Sequence, residues 1–348
     1  MNHKNITSAD VARMAGVSRS TVSRCFKADS RISKKTRERV IEIADQLGYQ
    51  VNKIARSMIT RQSDLVGLVS AGLHDPFAVV LVNQLIQKLQ KMGLYPILLD
   101  ASNTAQLELS IKKLAQYQVR SIIITSGSPS SSIGAEFIRL NVPVILLNRA
   151  GQLDAAHLIN CDNKTGSTLA AKTLLDAGHR RLGFVNSNNS TYSGNSRGAF
   201  FEQALALKLA SGEISLQSIS CRSSDYKGGF QAALDLFPNP NSFYRNLSPT
   251  GIYCANDNIA LGFMDALRYE LGLRIPEDLS IIGFDDIPLA GQPAYRLTTL
   301  RQCPAAIAEA TVKCIQGIPS STDPLRISIP VELITRQSVA APAHENRG

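Results

Sequence analysis

The sequence predicts an α/β protein in which a small all-α headpiece precedes a two-lobed body built on doubly wound parallel sheets. Three observations support this prediction. Residues 7–27 contain two short helical patterns joined by a tight turn. From residue 63 onward, short apolar runs alternate with amphipathic helical patterns, the order typical of parallel sheets covered on both faces. Finally, the positive charge of the chain is concentrated before residue 63.

The first helical pattern carries clear start and stop signals. Thr7 is a good N-cap, and Asp10 follows three residues later, where a carboxylate suits both a capping box and the helix dipole. Its apolar positions recur at helical spacing and are Val11, Ala12 and Ala15. Gly16 follows the last turn, where a left-handed C-cap is favoured. Ser18 then caps a second helix.

The second helix is predicted to bury Val22 and Phe26 and to turn a polar, basic face outward. That face comprises Arg19, Ser20, Ser23 and Arg24. Short polar and guanidinium side chains on one helix face are what base edges and phosphates in a major groove require. We therefore interpret residues 7–27 as a DNA-reading helix-turn-helix. The alternative is a helical hairpin with a solvated basic face.

A third helix is predicted from about Ser33 to Leu47, ended by Gly48. Its apolar stripe is Val40, Ile41, Ala44 and Leu47. The linker after it could form a short helix from Asn52 to about Ile59, and a helix this short needs a partner helix or DNA to be stable.

Charge separates the headpiece from the body. Residues 1–62 carry 13 lysines and arginines against 5 acids, whereas the rest of the chain carries 24 against 23. A basic module on a neutral body is typical of a nucleic-acid-binding protein with a separate second function.

Composition restricts the class of protein further. No stretch approaches the roughly 20 apolar residues that cross a bilayer, and no apolar signal-peptide core precedes the first helix. We therefore expect a cytoplasmic, nucleoid-associated protein without a membrane partner. The six cysteines are scattered without a C-x-x-C pair, which favours buried reduced thiols over disulfides or metal ligands. The sequence predicts no metal and no cofactor.

The body is too long for one core, so two lobes with a ligand cleft at the carboxyl ends of the strands are expected. Predicted strands are Leu65–Val69, Tyr95–Leu99, Ser121–Thr125, Val144–Leu147, Leu182–Asn186, Ile252–Ala255 and Ser280–Phe284. Predicted helices include Val79–Met92, Thr104–Tyr117, Thr165–Ala177, Ser196–Leu209, Lys227–Phe237 and Asn258–Leu271. No glycine-rich nucleotide motif follows a strand.

Short motifs occur along nearly the whole chain. They are Asp10-Val-Ala-x-x-Ala-Gly-Val-Ser18-x-x-Thr-Val-Ser-Arg24, Ser33-x-x-Thr-Arg37, Leu47-Gly-Tyr49-x-x-Asn52-x-x-Ala-Arg56, Asp75-Pro-Phe77, Asp162-Asn-x-x-Gly166, Gly178-His-Arg-Arg181, Ala255-Asn-Asp257, Ile282-Gly-Phe-Asp285-Asp286 and Leu297-Thr-Thr299. No single motif is decisive, but their order and spacing together resemble those of the LacI/GalR family of transcription regulators.

The resemblance implies a domain organisation. The headpiece is expected at residues 1–50, the hinge helix and linker at 51–62, and a periplasmic-binding-protein-like body for effector binding and dimerisation at 63–340. Lobe 1 is expected at about 63–161 and 291–327, and lobe 2 at about 162–290 and 328–340. Residues 341–348 are expected to form a flexible tail.

The resemblance also implies the DNA contacts. The recognition-helix role falls to Arg19, Ser20 and Arg24, with Arg24 as the strongest candidate for a base or phosphate contact. Thr7, Ser18, Thr21, Ser23 and Asn52 are expected to hold phosphates or to cap helices. In the hinge, Ala55, Arg56 and Met58 are further candidates. Met58 stands where the family usually places a leucine that wedges between base steps, although it could instead pack against the body.

In the family, the cleft between the lobes binds a small effector, most often a sugar or sugar derivative. The residues here that match this site are Arg197, Asn256 and Asp285, with Phe77 as an apolar ring against a sugar face and Thr191 and Ser193 at the rim. Asp257 and Asp286 are expected to be structural caps. Phe200, where the family pattern commonly has glycine, is expected to reshape the cleft wall.

The resulting hypothesis is a regulator, most simply a repressor, that binds roughly palindromic operator DNA as a homodimer. A sugar-like effector bound between the lobes switches its affinity for DNA. The alternative is a cytoplasmic sugar-binding protein with non-specific DNA affinity. An enzyme is not expected, because the five histidines lie near no G-x-S-x-G or H-E-x-x-H motif.

Overall fold

The computed structural model separates the chain into two compact units, residues 1–63 and residues 64–348. It describes residues 6–26, 31–50, 63–71, 73–101, 107, 109–110, 113–114, 116–125, 131–151, 153–189, 191–238, 248–317 and 323–342. The expected hinge and most of the expected tail lie outside these residues. Pro342, which was expected to belong to the flexible tail, is buried.

The first unit contains three described helices, α1 (Ser8–Ala15), α2 (Arg19–Cys25) and α3 (Lys34–Leu47). The Asp10 carboxylate accepts hydrogen bonds from the Thr7 N–H at 3.0 Å and from the Thr7 hydroxyl at 2.7 Å. Gly16 has a φ of 61°, so α1 ends in the left-handed conformation that favours glycine. The Ser18 Oγ accepts from the Thr21 N–H at 3.1 Å and caps α2. These local signals set the helix boundaries predicted from the sequence.

One detail of the predicted headpiece core is wrong. Ile41 is 37% exposed, and Ile43 packs against the core in its place. Both residues fit a helical spacing with Val40 and Ala44, so the choice between them depends on where α1 and α2 pack. Phe26 is half-buried and packs against this core, and its neighbour Cys25 is fully part of it.

The body contains two six-stranded sheets. The strands and helices of the first half are β1 (Leu65–Ser70), α4 (Pro76–Lys91), β2 (Tyr95–Asp100), β3 (Ser121–Ile124), α5 (Ser131–Arg139), β4 (Val144–Leu147), β5 (His157–Cys161) and α6 (Asn163–Asp176). Those of the second half are β6 (Arg181–Ser187), α7 (Tyr192–Ala210), β7 (Ser215–Cys221), α8 (Tyr226–Leu236), β8 (Gly251–Cys254), α9 (Asp257–Asp265), β9 (Ser280–Asp285), β10 (Thr298–Arg301), α10 (Pro304–Gly317), β11 (Arg326–Ile329) and β12 (Glu332–Ile334). A π-helical turn, Ala266–Glu270, continues α9.

The sheets have strand orders β11-β5-β4-β3-β1-β2 and β12-β10-β9-β8-β6-β7, which define lobe 1 and lobe 2. All pairings are parallel except that of β12 with β10. Parallel pairing places the carboxyl ends of β1, β3 and β4 at one edge of lobe 1, and those of β6, β8 and β9 at one edge of lobe 2. Ligands of open α/β sheets bind at such edges.

The seven predicted strands are confirmed, with bounds that shift by at most one residue at each end. The sequence analysis did not predict five of the observed strands, which are β5, β7, β10, β11 and β12. The expected lobe boundary at residue 291 is wrong, because β10 pairs with β9 and therefore belongs to lobe 2. This strand begins with two buried threonines, so it lacks the apolar run by which the other strands were recognised. Part of the predicted helix Thr104–Tyr117 lies outside the described residues.

The described cysteines are free, and all except Cys303 are buried. No helix among the described residues is both long and apolar enough to cross a membrane.

Two glycines allow α8 and α9 to approach closely. A Cβ at Gly262 would overlap the backbone carbonyl of Tyr226, and a Cβ at Gly229 would overlap that of Ile259. Because the obstacle is backbone in each case, it cannot move away as a side chain could.

We expect Gly262→Ala to lower the free energy of unfolding by about 1–3 kcal/mol, since the two helices must separate. Gly317→Ala is the matched control, because nothing lies within 4 Å of the added carbon, and it should stay within about 0.5 kcal/mol of wild type. Urea denaturation followed by circular dichroism measures both values. Equal stability of the two variants would contradict the tight backbone contact.

Candidate functional site

A cavity of about 380 Å³ lies at the carboxyl ends of the strands, between the two lobes. Its size suits a small polar ligand. It is lined by all six residues predicted for the effector site, which are Phe77, Thr191, Ser193, Arg197, Asn256 and Asp285. Phe77 belongs to lobe 1, at the start of α4, and the other five belong to lobe 2.

Arg197 is the centre of the polar network beneath this cavity. Its side chain, on α7, is only 5% exposed. The Nε donates to the Asn163 Oδ1 at 3.0 Å, and the Nη1 donates to the Ala255 carbonyl at 2.6 Å. The Nη1 also lies 3.4 Å from an Asp285 carboxylate oxygen, and the guanidinium carbon lies 3.5 Å from the centre of the Phe284 ring. A buried guanidinium is tolerated because its charge and its donors are matched in this way.

Asp285 ends β9 with a φ of 120°, an unusual conformation for a residue other than glycine. Burial raises the pKa of its carboxyl to about 8, although the nearby Arg197 acts in the opposite direction. The Oδ1 also accepts a hydrogen bond of 2.6 Å from the Gln302 side chain.

The two neighbouring aspartates hold the chain around Asp285 in place. Asp257 is buried and accepts from the Thr299 hydroxyl at 2.5 Å and from the Ile287 N–H at 2.9 Å. Asp286 forms ion pairs of 2.6 Å with both Arg301 and Arg336. The predicted capping roles are wrong, since Asn256 caps α9 and Asp286 pairs with arginines.

The remaining predicted residues line the cavity while also fixing their own segments. The Asn256 Oδ1 accepts from the Ile259 N–H at 2.8 Å, and its Nδ2 donates to the Ser224 carbonyl at 3.1 Å. The Thr191 hydroxyl caps α7 by accepting from the Gly194 N–H at 3.4 Å. The Ser193 hydroxyl lies 3.4 Å from the Asn148 carbonyl, across the cleft in lobe 1.

Several cavity residues were missed by the sequence analysis. The most informative are Gln302 and Asn148, because the Asn148 Nδ2 donates to the Gln302 Oε1 at 3.0 Å. Gln302 therefore links Asn148 of lobe 1 to Asp285 of lobe 2. Further residues at the cavity are His74, Asp75, Asn186, Ser223, Asp225 and Asn258. The sequence offered a signal for Asp75, which precedes Pro76 at the start of a helix, but none for an isolated glutamine.

Two of these residues add negative charge. Burial raises the pKa of Asp75, which caps α4. Burial alone would also raise the pKa of Asp225, but hydrogen bonds from the Ser223 hydroxyl and the Gly228 N–H bring it below its ordinary value.

Phe200 does not shape this cavity as expected. It lies along a separate groove with Tyr192, Lys164 and Arg326. It lies three residues after Arg197 on α7, which is only about 60° away around the helix, yet its side chain lines this groove and not the cavity.

In the headpiece, Arg19, Ser20, Ser23 and Arg24 are all exposed on α2, opposite the buried Val22 and Cys25. The Arg24 Nε lies 3.3 Å from the Ser20 carbonyl, and the Nη2 lies 3.4 Å from the Ser20 hydroxyl. Thr7 and Ser18 take part in helix capping, and the Ser18 hydroxyl also lies 2.8 Å from that of Thr21. The predicted hinge contacts Asn52, Ala55, Arg56 and Met58 lie outside the described residues.

Within the described part of the chain, no group of three or more histidine, cysteine or acidic side chains is placed to hold a metal ion.

Comparisons with known proteins agree with this architecture. Residues 7–52 match the model of bacterial regulatory proteins of the lacI family, and residues 171–339 match a periplasmic binding protein-like domain. The regulator GalS of Salmonella typhimurium is 32% identical over 91% of this chain and 92% of its own length. The chain belongs to the LacI family of transcription regulators.

Two further comparisons extend along the whole chain of this LacI-family regulator. The ribose operon repressor of Bacillus subtilis is 30% identical over 95% of this chain and 98% of its own. The crystal structure of the lac repressor dimer bound to operator and the anti-inducer ONPF superimposes with a TM-score of 0.82. It shares 25% identity and covers 97% of this chain and 100% of its own. These relatives are named as regulators rather than as enzymes.

Removal of the buried guanidinium should be costly. We expect Arg197→Met to lower the free energy of unfolding by about 3–5 kcal/mol, because a buried polar network loses its cation. Lys172→Met is the control, since its pair with Asp176 is largely exposed and should contribute less than about 1 kcal/mol.

The difference in the free energy of unfolding between Arg197→Met and wild type should also depend on pH. Because the pKa of Asp285 is raised to about 8, the folded protein keeps a proton there that the unfolded chain releases, so stability falls as the pH rises toward 8. Arg197 opposes this loss, and the difference should therefore widen from about pH 6 to about pH 9. Urea titrations across this range provide the measurement, and a difference that is constant or narrows would contradict the coupling.

Proposed function

We propose that the protein is a cytoplasmic repressor whose affinity for a near-palindromic operator changes when a neutral sugar binds in the cavity between the lobes. The observation that carries the proposal is the polar network of Arg197, Asp285 and Gln302, which lines the cavity and reaches both lobes. A ligand that replaces any of these contacts alters how the lobes are held together. The exposed face of α2 supplies the DNA-binding function.

The chemistry of the cavity favours a polyhydroxylated ligand. Arg197 donates a rigid fork, Asp285 accepts from neighbouring hydroxyls, and Asn256 can do both. Phe77 supplies an apolar ring. The relatives named as ribose operon repressors support the same class of effector.

We propose a homodimer as the DNA-binding form, by analogy with the lac repressor structure, which is described as a dimer on operator. Tyr95 and Leu98 on the edge strand β2 are both exposed, and they offer apolar surface for a second copy. Two headpieces held at a fixed spacing would read two half-sites. By linkage, effector binding and DNA binding must alter each other by the same factor.

The test of this function is genome-wide mapping of the DNA bound in the native cell. A single near-palindromic motif beside catabolic or transport genes is the expected result. Diffuse binding without symmetry would overturn the repressor and favour a sugar-binding protein that coats DNA.

The exposed guanidinium of Arg24 should contribute to base recognition. We expect Arg24→Ala to weaken binding to the mapped operator and to lose about 1–3 kcal/mol of discrimination against random DNA. Lys172→Ala, which removes an exposed charge from the body, should change neither value. Fluorescence anisotropy at fixed salt measures both, and an equal loss on operator and random DNA would reduce Arg24 to a phosphate contact.

The charge of the cavity should exclude anionic sugars. Its acidic lining residues Asp75 and Asp225 oppose a further negative charge, and the guanidinium of Arg197 is already bonded within the protein. A buried anion without a free cation is costly. We expect galactose to bind more tightly than galacturonate, and ribose more tightly than ribose 5-phosphate, in isothermal titration calorimetry. Asp225→Asn removes one negative charge, so it should bring the affinities for the neutral and the anionic sugar closer together. Tighter binding of either anion would contradict the assignment of a neutral effector.

A further inference from the structure

A second concave surface lies at the junction of the lobes, apart from the cavity. Phe200 lines this groove of about 290 Å³, and none of the described residues that line the groove also lines the cavity. Lobe 1 contributes β5 and the edge strand β11, whereas lobe 2 contributes the start of α6 and part of α7. We call it the junction groove, because a ligand bound there would touch both lobes.

The floor of the junction groove is an open face of the lobe 1 sheet. The parallel register pairs Arg326 with Leu158 and Ser328 with Asn160, so these four side chains lie on the same face. Arg326 and Ser328 are exposed, and Leu158 and Asn160 are half-buried. This face is therefore accessible to a ligand.

Gly151 leaves space for the guanidinium of Arg326. A Cβ at Gly151 would lie 3.0 Å from the Arg326 Nη1, so the guanidinium lies where a side chain would otherwise stand. The other neighbour is His157, whose pKa is lowered by burial and by the positive charge of Arg326. A second positive group beside Arg326 is disfavoured, and an anion is favoured.

The junction groove contains two cations and one carboxylate. Lys164 stands at the start of α6, and within the described part of the chain neither Lys164 nor Arg326 forms an ion pair. The carboxylate is that of Asp162, which already accepts from the Thr165 N–H at 2.9 Å and from the Thr165 hydroxyl at 2.7 Å. Two cations are thus available to a ligand.

The wall of the junction groove on α7 is aromatic. Tyr192 and Phe200 are eight residues apart, which is about 12 Å along a helix. Tyr192 is 40% exposed and Phe200 is half-buried, so both rings offer flat apolar surface. Because the family resemblance indicates glycine at position 200, this part of the wall is a departure of this chain.

The groove also reaches the network of Arg197. Asn163 lines it, and the Asn163 Oδ1 accepts from the Arg197 Nε at 3.0 Å and from the Cys161 thiol at 3.1 Å. A ligand in the junction groove would therefore lie against the residue that holds Arg197.

We propose that the junction groove binds an organic phosphate that carries a planar ring. Arg326 and Lys164 hold the phosphoryl group, and the ring packs against Phe200. A phosphate monoester carries nearly two negative charges at neutral pH, which two cations match, and a guanidinium presents its donors in a fork that fits phosphate oxygens. The proposal is independent of the sugar effector, since the two sites have separate linings.

The first experiment compares three probes by isothermal titration calorimetry on the full-length protein at fixed low salt. They are phenyl phosphate, inorganic phosphate without a ring, and benzyl alcohol without a charge. Phenyl phosphate should bind about tenfold more tightly than either of the others, because only it uses both the cations and the aromatic wall. Absence of phenyl phosphate binding, or equally tight binding of either comparison probe, would overturn the ligand class.

Variants test the location. Arg326→Gln should weaken phenyl phosphate binding about tenfold, since the charged hydrogen bonds are lost. Lys172→Gln is the matched control, because it removes an exposed cation of α6 that does not line the groove, and it should leave the affinity unchanged. Phe200→Ala should weaken phenyl phosphate binding about tenfold and leave inorganic phosphate binding unchanged. Circular dichroism verifies that the variants fold.

The basic headpiece is the competing location for an anion. Equal affinity of wild type and Arg326→Gln for phenyl phosphate would place the probe outside the junction groove and overturn the site. An effect of Arg326→Gln without one of Phe200→Ala would overturn the contact with the ring. None of these results would affect the proposed operator binding or the sugar effector, because neither uses this groove.

Discussion

The body of the protein depends on one buried cation. Arg197 is almost inaccessible to solvent, and a guanidinium in such a place must be matched in charge and in hydrogen bonds. Its partners come from the start of α6, the end of β8 and the end of β9. Three segments far apart in the sequence must therefore be in position before the cation can be buried. This requirement places the carboxyl ends of the lobe 2 strands around one point.

The same network reaches lobe 1 through a neutral residue. Gln302 follows β10, at the point where the chain leaves lobe 2, and its amide joins Asp285 to Asn148. A ligand hydroxyl bound in this cavity, as proposed, would compete for the same donors and acceptors. Because an amide can exchange partners without leaving a charge unmatched, this link between the lobes can be altered by a ligand at small cost. The contacts of Arg197 beneath it, in contrast, join segments of lobe 2 alone.

The sequence predicted the strands whose apolar runs are buried on both faces, such as β4 and β9. It failed for β7 and β10, where serines or threonines occupy strand positions and the pattern reads as a loop. Ile41 and Ile43 illustrate a different limit, since helical periodicity admits both and only the packing of the other two helices distinguishes them.

The site was predicted from residues whose roles the family resemblance supplied, and all six line one cavity. Gln302 could not be found in this way, because only the folded structure brings it between Asn148 of lobe 1 and Asp285 of lobe 2. Phe200 shows the reverse error: a departure from the family pattern close to Arg197 in sequence lines a separate groove rather than the cavity. For locating residues that line the cavity, a position at the end of a strand was therefore a better guide than nearness to Arg197 along the helix.

The distribution of charge explains how one chain can bind two very different ligands. The excess of positive charge lies in the first 62 residues, while the body is nearly neutral. DNA affinity depends on phosphate neutralisation, so a neutral body leaves that affinity to the headpiece. The acidic side chains Asp75 and Asp225 at the cavity act in the same direction, because their negative charge disfavours a second anion such as a nucleotide or a phosphate there. Discrimination between the two ligands thus begins with long-range electrostatics, before any specific contact is made.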